Sequence, residues 1–600
     1  MKKLMHYLLR CFLFILITAA EYLQLQYSSV PYIREVFRTD VRYLAVNLLI
    51  IASVNLLLAV ILQSMTISVA VSSVLFTLWA VANYFVIEYH GSPLFPSEFV
   101  NAGAAVDVSS GYSLHMNRTI LYLLLVFAAE VILVVLLHLL FRGTGIFHLS
   151  RLLVRLLLLC ACVLGCWLCL YSPYKIKKKT AITFSWSDGI KGFGFGICAV
   201  EDAEMALFPY KMPEGYSVQA VPEEPEAKAG RIPADQYPDV ILILNETFCD
   251  LDIYTDLQPD KDYLADFYGI DNAVYGHAIT PREGGGTNNS EYELLTANSL
   301  YLIRNSAPFN FVDFSKADNH AVTYFHQLGY DTYAMHYGVP GTYSRNKAYK
   351  DMGFDHITLG KDSFSYHGKN GNRSCLDSDN YHDLTDQYEA GGDAPRFMYL
   401  LTLQNHVGWE QNEDSLDTVH TGVDFGDLTD DINEYMSTIE LSAHAFRKLT
   451  EYFETVDRPV IVCMVGDHAP SFIKDLPCGQ DYTEEEAAMA RRTVPYVIWS
   501  NRKLSYPENT GYASMTDLLP LIAESAGLPE SAYYRMILTL RDTLPVRTSY
   551  GRYRTTEGEI GIFKKSSPYY DLLQKYYYLE YNGLRAGNDY LRDAFLPPVG

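Results

Sequence analysis

The spacing of apolar residues divides the chain near residue 172. Before it lie five long apolar runs, at residues 5–24, 43–63, 66–87, 119–141 and 152–171. Each holds about 20 residues, enough at about 1.5 Å per residue to cross about 30 Å of hydrocarbon. From residue 239 the apolar runs shorten to strand length: VILIL (240–244), FMYLLTL (397–403), VIVCMV (460–465) and VPYVIWS (494–500). Unbroken runs of this kind are expected of strands buried on both faces. Amphipathic stretches at 290–303, 317–328, 431–455 and 515–526 alternate with them. The alternation predicts an α/β domain with a largely parallel sheet behind an α-helical transmembrane bundle.

The first run is long, lacks a small-residue cleavage pattern and is followed by four more, so it is read as a span and not as a cleaved signal. Buried core helices are the alternative for all five. Charge does not set the orientation: with the N-terminus inside, Lys2, Lys3, Arg10, Arg142, Arg151 and Arg155 are cytoplasmic, whereas Arg34, Arg38, Arg42, Arg118 and Lys175 fall outside. Glu130 lies within the fourth run, where a carboxylate is either functional or hydrogen-bonded between helices. Loop 90–100 suits a membrane interface, and the basic KIKKKT segment suits anionic headgroups. The expected organisation is a transmembrane domain over 1–172, a juxtamembrane linker over 173–238, a catalytic domain over 239–545 and a C-terminal extension over 546–600.

The net charge of −23 is unevenly placed. Residues 1–172 hold ten basic and seven acidic side chains, so the rest of the chain carries about −26. An acidic domain disfavours a nucleic-acid partner, because phosphate-backbone binding needs a basic face. The five cysteines beyond the apolar runs, Cys198, Cys249, Cys375, Cys463 and Cys478, are scattered, with no zinc-ribbon spacing and no evident disulfide framework.

Three buried strands end on polar clusters: Asn245-Glu246-Thr247, Gln404-Asn405-His406 and Gly466-Asp467-His468. In open α/β sheets, ligands bind beyond the carboxyl ends of strands. A fourth element, GGGTNNSEYE, places Gly284, Gly285 and Gly286 before Thr287 and an amphipathic helix. A hydroxyl there meets exposed N–H groups and a positive dipole end, which favour an alkoxide and a phosphoryl group; a plain N-cap is the alternative. No G-K-[ST] follows, so the run is not a Walker loop. Glu246, Thr287, Asp467 and His468 offer three oxygens and one nitrogen, a set suited to Mn²⁺ or Mg²⁺ and less exclusive to Zn²⁺. The chemistry predicted is nucleophilic phosphoryl or phosphodiester transfer through a covalent intermediate. In residues 333–355, His336 and Arg345 would flank the phosphate and Tyr343 would form an aromatic wall.

These elements, in this order behind five spans, resemble the lipoteichoic acid synthase family: polytopic enzymes with an extracellular alkaline-phosphatase/sulfatase-like domain. The resemblance implies Thr287 as nucleophile, Glu246, Thr287, Asp467 and His468 as metal ligands, and His336, Tyr343, Arg345 and His406 as substrate residues. It implies transfer of glycerophosphate from phosphatidylglycerol to a glycolipid or glycerophosphate polymer in the cell membrane. The tail LLQKYYYLEYNGL is similar to the family's closing segment. The chain departs from the pattern at Asn245 and Thr247, where a Leu-Glu-Ser strand end is usual, at Tyr343, where Trp is usual, and in T-N-N-S-E for T-S-D-x-E. A phosphoethanolamine transferase or a phosphodiesterase would share the same four ligands. A true sulfatase is disfavoured, since no C-x-P-x-R or S-x-P-x-R motif stands at the nucleophile. A non-enzymatic membrane binding protein is disfavoured because all four ligands are kept.

Overall fold

The computed structural model describes all residues except 1, 31–40, 91–92, 97–115, 142–148, 172–185, 208–209, 224, 304–307, 311, 313, 317–318, 367–374, 407, 410–414, 480, 504–510, 586–589 and 599–600. KIKKKT and most of loop 90–100 therefore lie outside the described residues. The chain forms two compact units, residues 1–207 and 208–600.

The first unit is helical: α1 (Lys2–Ser29), α2 (Val41–Ile61), α3 (Met65–His90), α4 (Arg118–Phe141), α5 (Leu149–Tyr171), α6 (Trp186–Phe193) and α7 (Phe195–Leu207). Four of them carry stretches long and apolar enough to cross a membrane, Leu8–Ser29, Val41–Ile61, Met65–Glu88 and Arg118–Leu139; in α5 the corresponding stretch is the shorter Leu152–Gly165. Helices α1, α3 and α4 pack together, and α2 packs on α5. Their outward faces carry Leu, Val and Ile, whereas polar side chains turn inward. The buried Glu21 receives hydrogen bonds from Asn55 Nδ2 and Ser72 Oγ, both at 2.6 Å. Glu130 is fully buried on α4. Part of the stretch expected as a linker belongs to this unit, because two carboxamides bind the α6–α7 break to the bundle. Asn47 Nδ2 donates to the Phe193 carbonyl at 2.7 Å and its Oδ1 accepts from Ile197 N at 3.0 Å. Gln26 does the same for the Ile190 carbonyl (2.9 Å) and Phe195 N (2.8 Å).

The second unit is built on an eight-stranded sheet of β1 (Asp239–Asn245), β2 (Ala273–Ile279), β3 (Asp331–His336), β4 (His356–Leu359), β5 (Arg396–Leu401), β6 (Val460–Gly466), β7 (Thr493–Ser500) and β8 (Tyr512–Ser514), in the order β4-β3-β5-β1-β6-β7-β2-β8. Strands β4, β3, β5, β1 and β6 run parallel, whereas β7 is antiparallel to both its neighbours, so the sheet is mixed. Strand β1 is central and wholly buried, with Val240 level with Phe397 and Ile461. Its first residue is fixed by Arg458, whose Nε and Nη2 reach the two Asp239 oxygens at 2.9 and 3.0 Å. The principal helices are α8 (Thr287–Thr296), α9 (Arg345–Met352), α10 (Asp377–Ala390) and α11 (Thr429–Glu454). A small sheet of β9 (Val546–Arg547), β10 (Arg552–Arg554) and β11 (Ile560–Ile562) follows, then α12 (Tyr570–Arg585), whose Leu573, Tyr576 and Tyr577 join the same hydrophobic core.

Because β5, β1 and β6 are adjacent and parallel, the three polar clusters at their carboxyl ends share one edge. The end of β6 tolerates no side chain: a Cβ on Gly466 would stand 1.9 Å from the Phe248 carbonyl oxygen, a backbone atom that cannot swing aside. Gly466→Ala is expected to destabilise the protein by about 1–3 kcal/mol or more. Gly392→Ala, where a Cβ meets nothing within 4 Å, serves as control. Thermal unfolding of the full chain in detergent checks this; equal midpoints for the two variants would contradict it.

Candidate metal centre and active site

Strand β1 delivers Glu246 and then turns sharply, with Thr247 in the left-handed region at φ 51°. That turn aims the Thr247 N–H at Asp467 Oδ1, 2.6 Å away, and its hydroxyl at Glu246 Oε1, 2.8 Å away. The Glu246 N–H is held by Thr402 Oγ1 at 3.1 Å, at the end of β5. Behind Glu246, Asn245 Nδ2 donates to Asp377 Oδ2 (2.8 Å) and Ser442 Oγ (3.1 Å), while its Oδ1 accepts from Asn405 Nδ2 (3.0 Å). This buried network ties β1 and β5 to α10 and α11. It gives a role to Asn245, a departure from the family pattern, and to Asp377 and Ser442, which no motif marked.

Helix α8 delivers Thr287. Gly284, Gly285 and Gly286 all have positive φ, at 62°, 130° and 91°. Gly286 caps the helix in the left-handed region, where a Cβ would also meet Arg282 Cγ at 2.9 Å. The helix is buried along its whole length, and Ser290 Oγ donates to the Asp467 carbonyl.

The four proposed ligands converge. Thr287 Oγ1 lies 3.3 Å from Glu246 Oε2 and 3.4 Å from His468 Nε2. His468 Nε2 lies 3.2 Å from Asp467 Oδ2 and 3.5 Å from Glu246 Oε1. One ligand atom from each of Glu246, Asp467 and His468 falls within 4.8 Å of the others. With its Nδ1–H donating to the Ala469 carbonyl at 2.8 Å, His468 turns the Nε2 lone pair toward the carboxylates. Asp467 Oδ2 is buried and receives no hydrogen bond among the described residues. Acceptor atoms thus face acceptor atoms, and only a proton or a cation between them relieves the repulsion. The donor chemistry fits a hard divalent cation. Burial, with the Glu246 charge, pushes Asp467 up to about 7. Burial opposes the charged imidazole of His468, but Asp467 and Glu246 raise its pKa.

The second predicted set gathers around α9. Arg345 is buried; its Nε donates to Glu291 Oε2 at 2.9 Å, and the same carboxylate receives the Tyr349 hydroxyl. Glu291 lies one turn beyond Thr287 on α8, so a single helix carries the proposed nucleophile and the anchor of Arg345. Tyr343, at φ 53° and 37% exposed, places its ring 5.2 Å from the Arg345 guanidinium. His336 is buried at the end of β3 with Nδ1 against the Leu401 carbonyl at 3.0 Å. Burial, then the Arg345 charge, drives it down to about 3, with His406 adding to the effect. His406 is exposed at the end of β5. Glu291, the last residue of T-N-N-S-E, was given no role by the motif, although its i+4 spacing from Thr287 was a usable signal.

Residues 238–528, within the second unit, match the model of the sulfatase family. The fold is similar to that of the Streptococcus pyogenes phosphoglycerol transferase GacH, solved with sn-glycerol-1-phosphate (TM-score 0.52, 17% identity, 65% of this chain and 99% of that one). Weaker likenesses are the Listeria monocytogenes lipoteichoic acid synthase LtaP (0.43, 16%, 62% and 96%) and the Neisseria meningitidis phosphoethanolamine transferase EptA (0.47, 13%, 86% and 95%). No curated protein matches the sequence.

Asp467 and His468 both hold protons more tightly in the folded site than in the unfolded chain. Without metal, stability is therefore expected to fall as pH rises from about 4 to about 7. The gap in thermal midpoint between Mn²⁺-loaded and chelator-treated full chain should widen between pH 5 and pH 8; a gap that is nil or independent of pH would contradict the centre.

Proposed function

We propose that the protein is a membrane-bound, metal-dependent phosphoglycerol transferase that works through a phospho-threonine intermediate at Thr287. The observation that carries this reading is the Thr287 hydroxyl within 3.4 Å of both Glu246 Oε2 and His468 Nε2, at a helix N-terminus. Glu246, Asp467, His468 and the Thr287 oxygen would hold one divalent cation, which we take as Mn²⁺, with Mg²⁺ and Zn²⁺ as the other outcomes. When bound, such an ion lowers the pKa of a hydroxyl and screens phosphate charge. Glu246 Oε2 is in reach of the Thr287 proton. The Thr287 oxygen attacks the phosphorus of phosphatidylglycerol, an O–P bond forms, the bond to diacylglycerol breaks, and the leaving oxygen takes a proton. His336, held neutral, accepts hydrogen bonds at Nε2 from hydroxyls; the exposed His406 is the proton donor. A terminal hydroxyl of a glycolipid or glycerophosphate polymer then displaces Thr287.

The choice of glycerol over ethanolamine rests on charge. An ammonium headgroup asks for a free carboxylate. Here Glu291 is bound to Arg345, and Glu283 to Arg491 and Arg492. Arg345, neutralised by Glu291, offers N–H donors to a polyol, and Tyr343 offers a wall. The apolar helices of the first unit keep the enzyme in the cell membrane as a multi-pass protein beside its lipid donor, with the second unit on the extracellular side where envelope polymer is built.

Incubation of the full chain in Mn²⁺ with phosphatidylglycerol is expected to give diacylglycerol and a Thr287 peptide heavier by one glycerophosphoryl group. Phosphatidylethanolamine should give at least tenfold less product, and Thr287→Ala should lose activity by at least about 10³-fold. Equal turnover by Thr287→Ala would remove the nucleophile; preference for phosphatidylethanolamine would move the protein to the phosphoethanolamine transferases.

A further inference from the structure

We propose that Arg282, which no motif assigned, supplies the unneutralised positive charge that receives the non-bridging oxygens of the phosphoryl group at Thr287. The inference rests on the phosphoryl-transfer reading above.

The nearby cations differ in how they are paired. Arg345 is in a buried ion pair with Glu291 at 2.9 Å. Arg492 is paired with Glu283 at 3.0 Å, and Arg491 reaches the same carboxylate. Arg282 differs: its Nε donates to Asn289 Oδ1 at 2.9 Å, a neutral acceptor, and no carboxylate pairs with it among the described residues. Burial and the neighbouring Arg492 both act against its charge. A half-buried guanidinium held without a counter-ion carries a standing electrostatic cost, and an arriving anion removes it.

The side chain of Arg282 lies across Gly286, the residue before Thr287, where an added Cβ would meet Arg282 Cγ at 2.9 Å and Cβ at 3.3 Å. Glycine at 286 thus clears the path that carries the guanidinium over the first turn of α8. Tyr343 lies within its electrostatic reach. Asn289, which Arg282 holds, donates in turn to Asn288 Oδ1 at 2.7 Å. That leaves Asn288 Nδ2, on the residue after Thr287, buried and with no acceptor among the described residues. Two donors that lack an acceptor or counter-ion therefore flank the nucleophile in sequence.

The two charges of a bound divalent cation are matched by Glu246 and Asp467, so the non-bridging oxygens of a phosphodiester need a positive group of their own. A guanidinium meets two such oxygens through parallel N–H bonds, which a lone ammonium cannot reproduce.

The test compares wild type, Arg282→Gln and Arg282→Lys as full chains in detergent with Mn²⁺, using orthophosphate as the probe. Arg282→Gln is expected to weaken orthophosphate binding and raise KM for phosphatidylglycerol by about 10–100-fold, with Arg282→Lys between it and wild type. Metal content and thermal midpoint should stay at the wild-type values. Binding and KM within twofold of wild type in Arg282→Gln would overturn the inference. So would a loss matched by lost metal or a fall in midpoint, since the residue would then be structural. If wild type yields the Thr287 adduct and Arg282→Gln yields it as fast, the inference alone falls. If wild type neither forms the adduct nor binds orthophosphate, the phosphoryl-transfer reading falls and takes the inference with it.

Discussion

Two carboxylates and an imidazole lone pair are held face to face in a buried pocket, and much of the second unit serves to keep them there. Left free, Glu246, Asp467 and His468 would swing apart or reach water. Asp467 and Glu246 are restrained from other segments, by Thr247 N–H and Ser290 and by Thr402 on the Glu246 backbone, and His468 by the carbonyl of its own neighbour Ala469. None of these restraints neutralises charge. They fix direction and leave the electrostatic strain for a cation to relieve, which is how a preorganised metal site differs from a group of acids at a surface.

Much of this was legible in the sequence because it follows from strand physics. The runs 240–244, 397–403 and 460–465 are too apolar for any place but the middle of a sheet, and they became β1, β5 and β6, three neighbours. Strands β2, β3, β4 and β8 were not predicted because AVYGHAI, DTYAMH, HITL and YAS hold no apolar run longer than three residues. The sheet is largely parallel, as expected; β7 alone reverses, between β6 and β2, and nothing local in VPYVIWS encodes direction. The polar network below Glu246 was invisible for a related reason. Asn245, Asp377, Ser442 and Asn405 are far apart in sequence, and each alone reads as a cap or a loop residue.

The two halves of the site differ in electrical character. Around Thr287 the partners are acidic and call for a cation. Around Arg345 the guanidinium is matched within the protein by Glu291, beside the Tyr343 ring. Helix α8 joins the halves: Thr287 at its first turn faces one, Glu291 a turn later anchors the other. The fold allows many substrates.

The most direct measurement is a crystal structure of the protein grown with Mn²⁺, with anomalous data collected at the manganese edge. The account predicts one strong anomalous peak within coordination distance of Glu246, Thr287 Oγ1, Asp467 and His468 Nε2. A peak elsewhere, or none here in crystals that contain the ion, would contradict it.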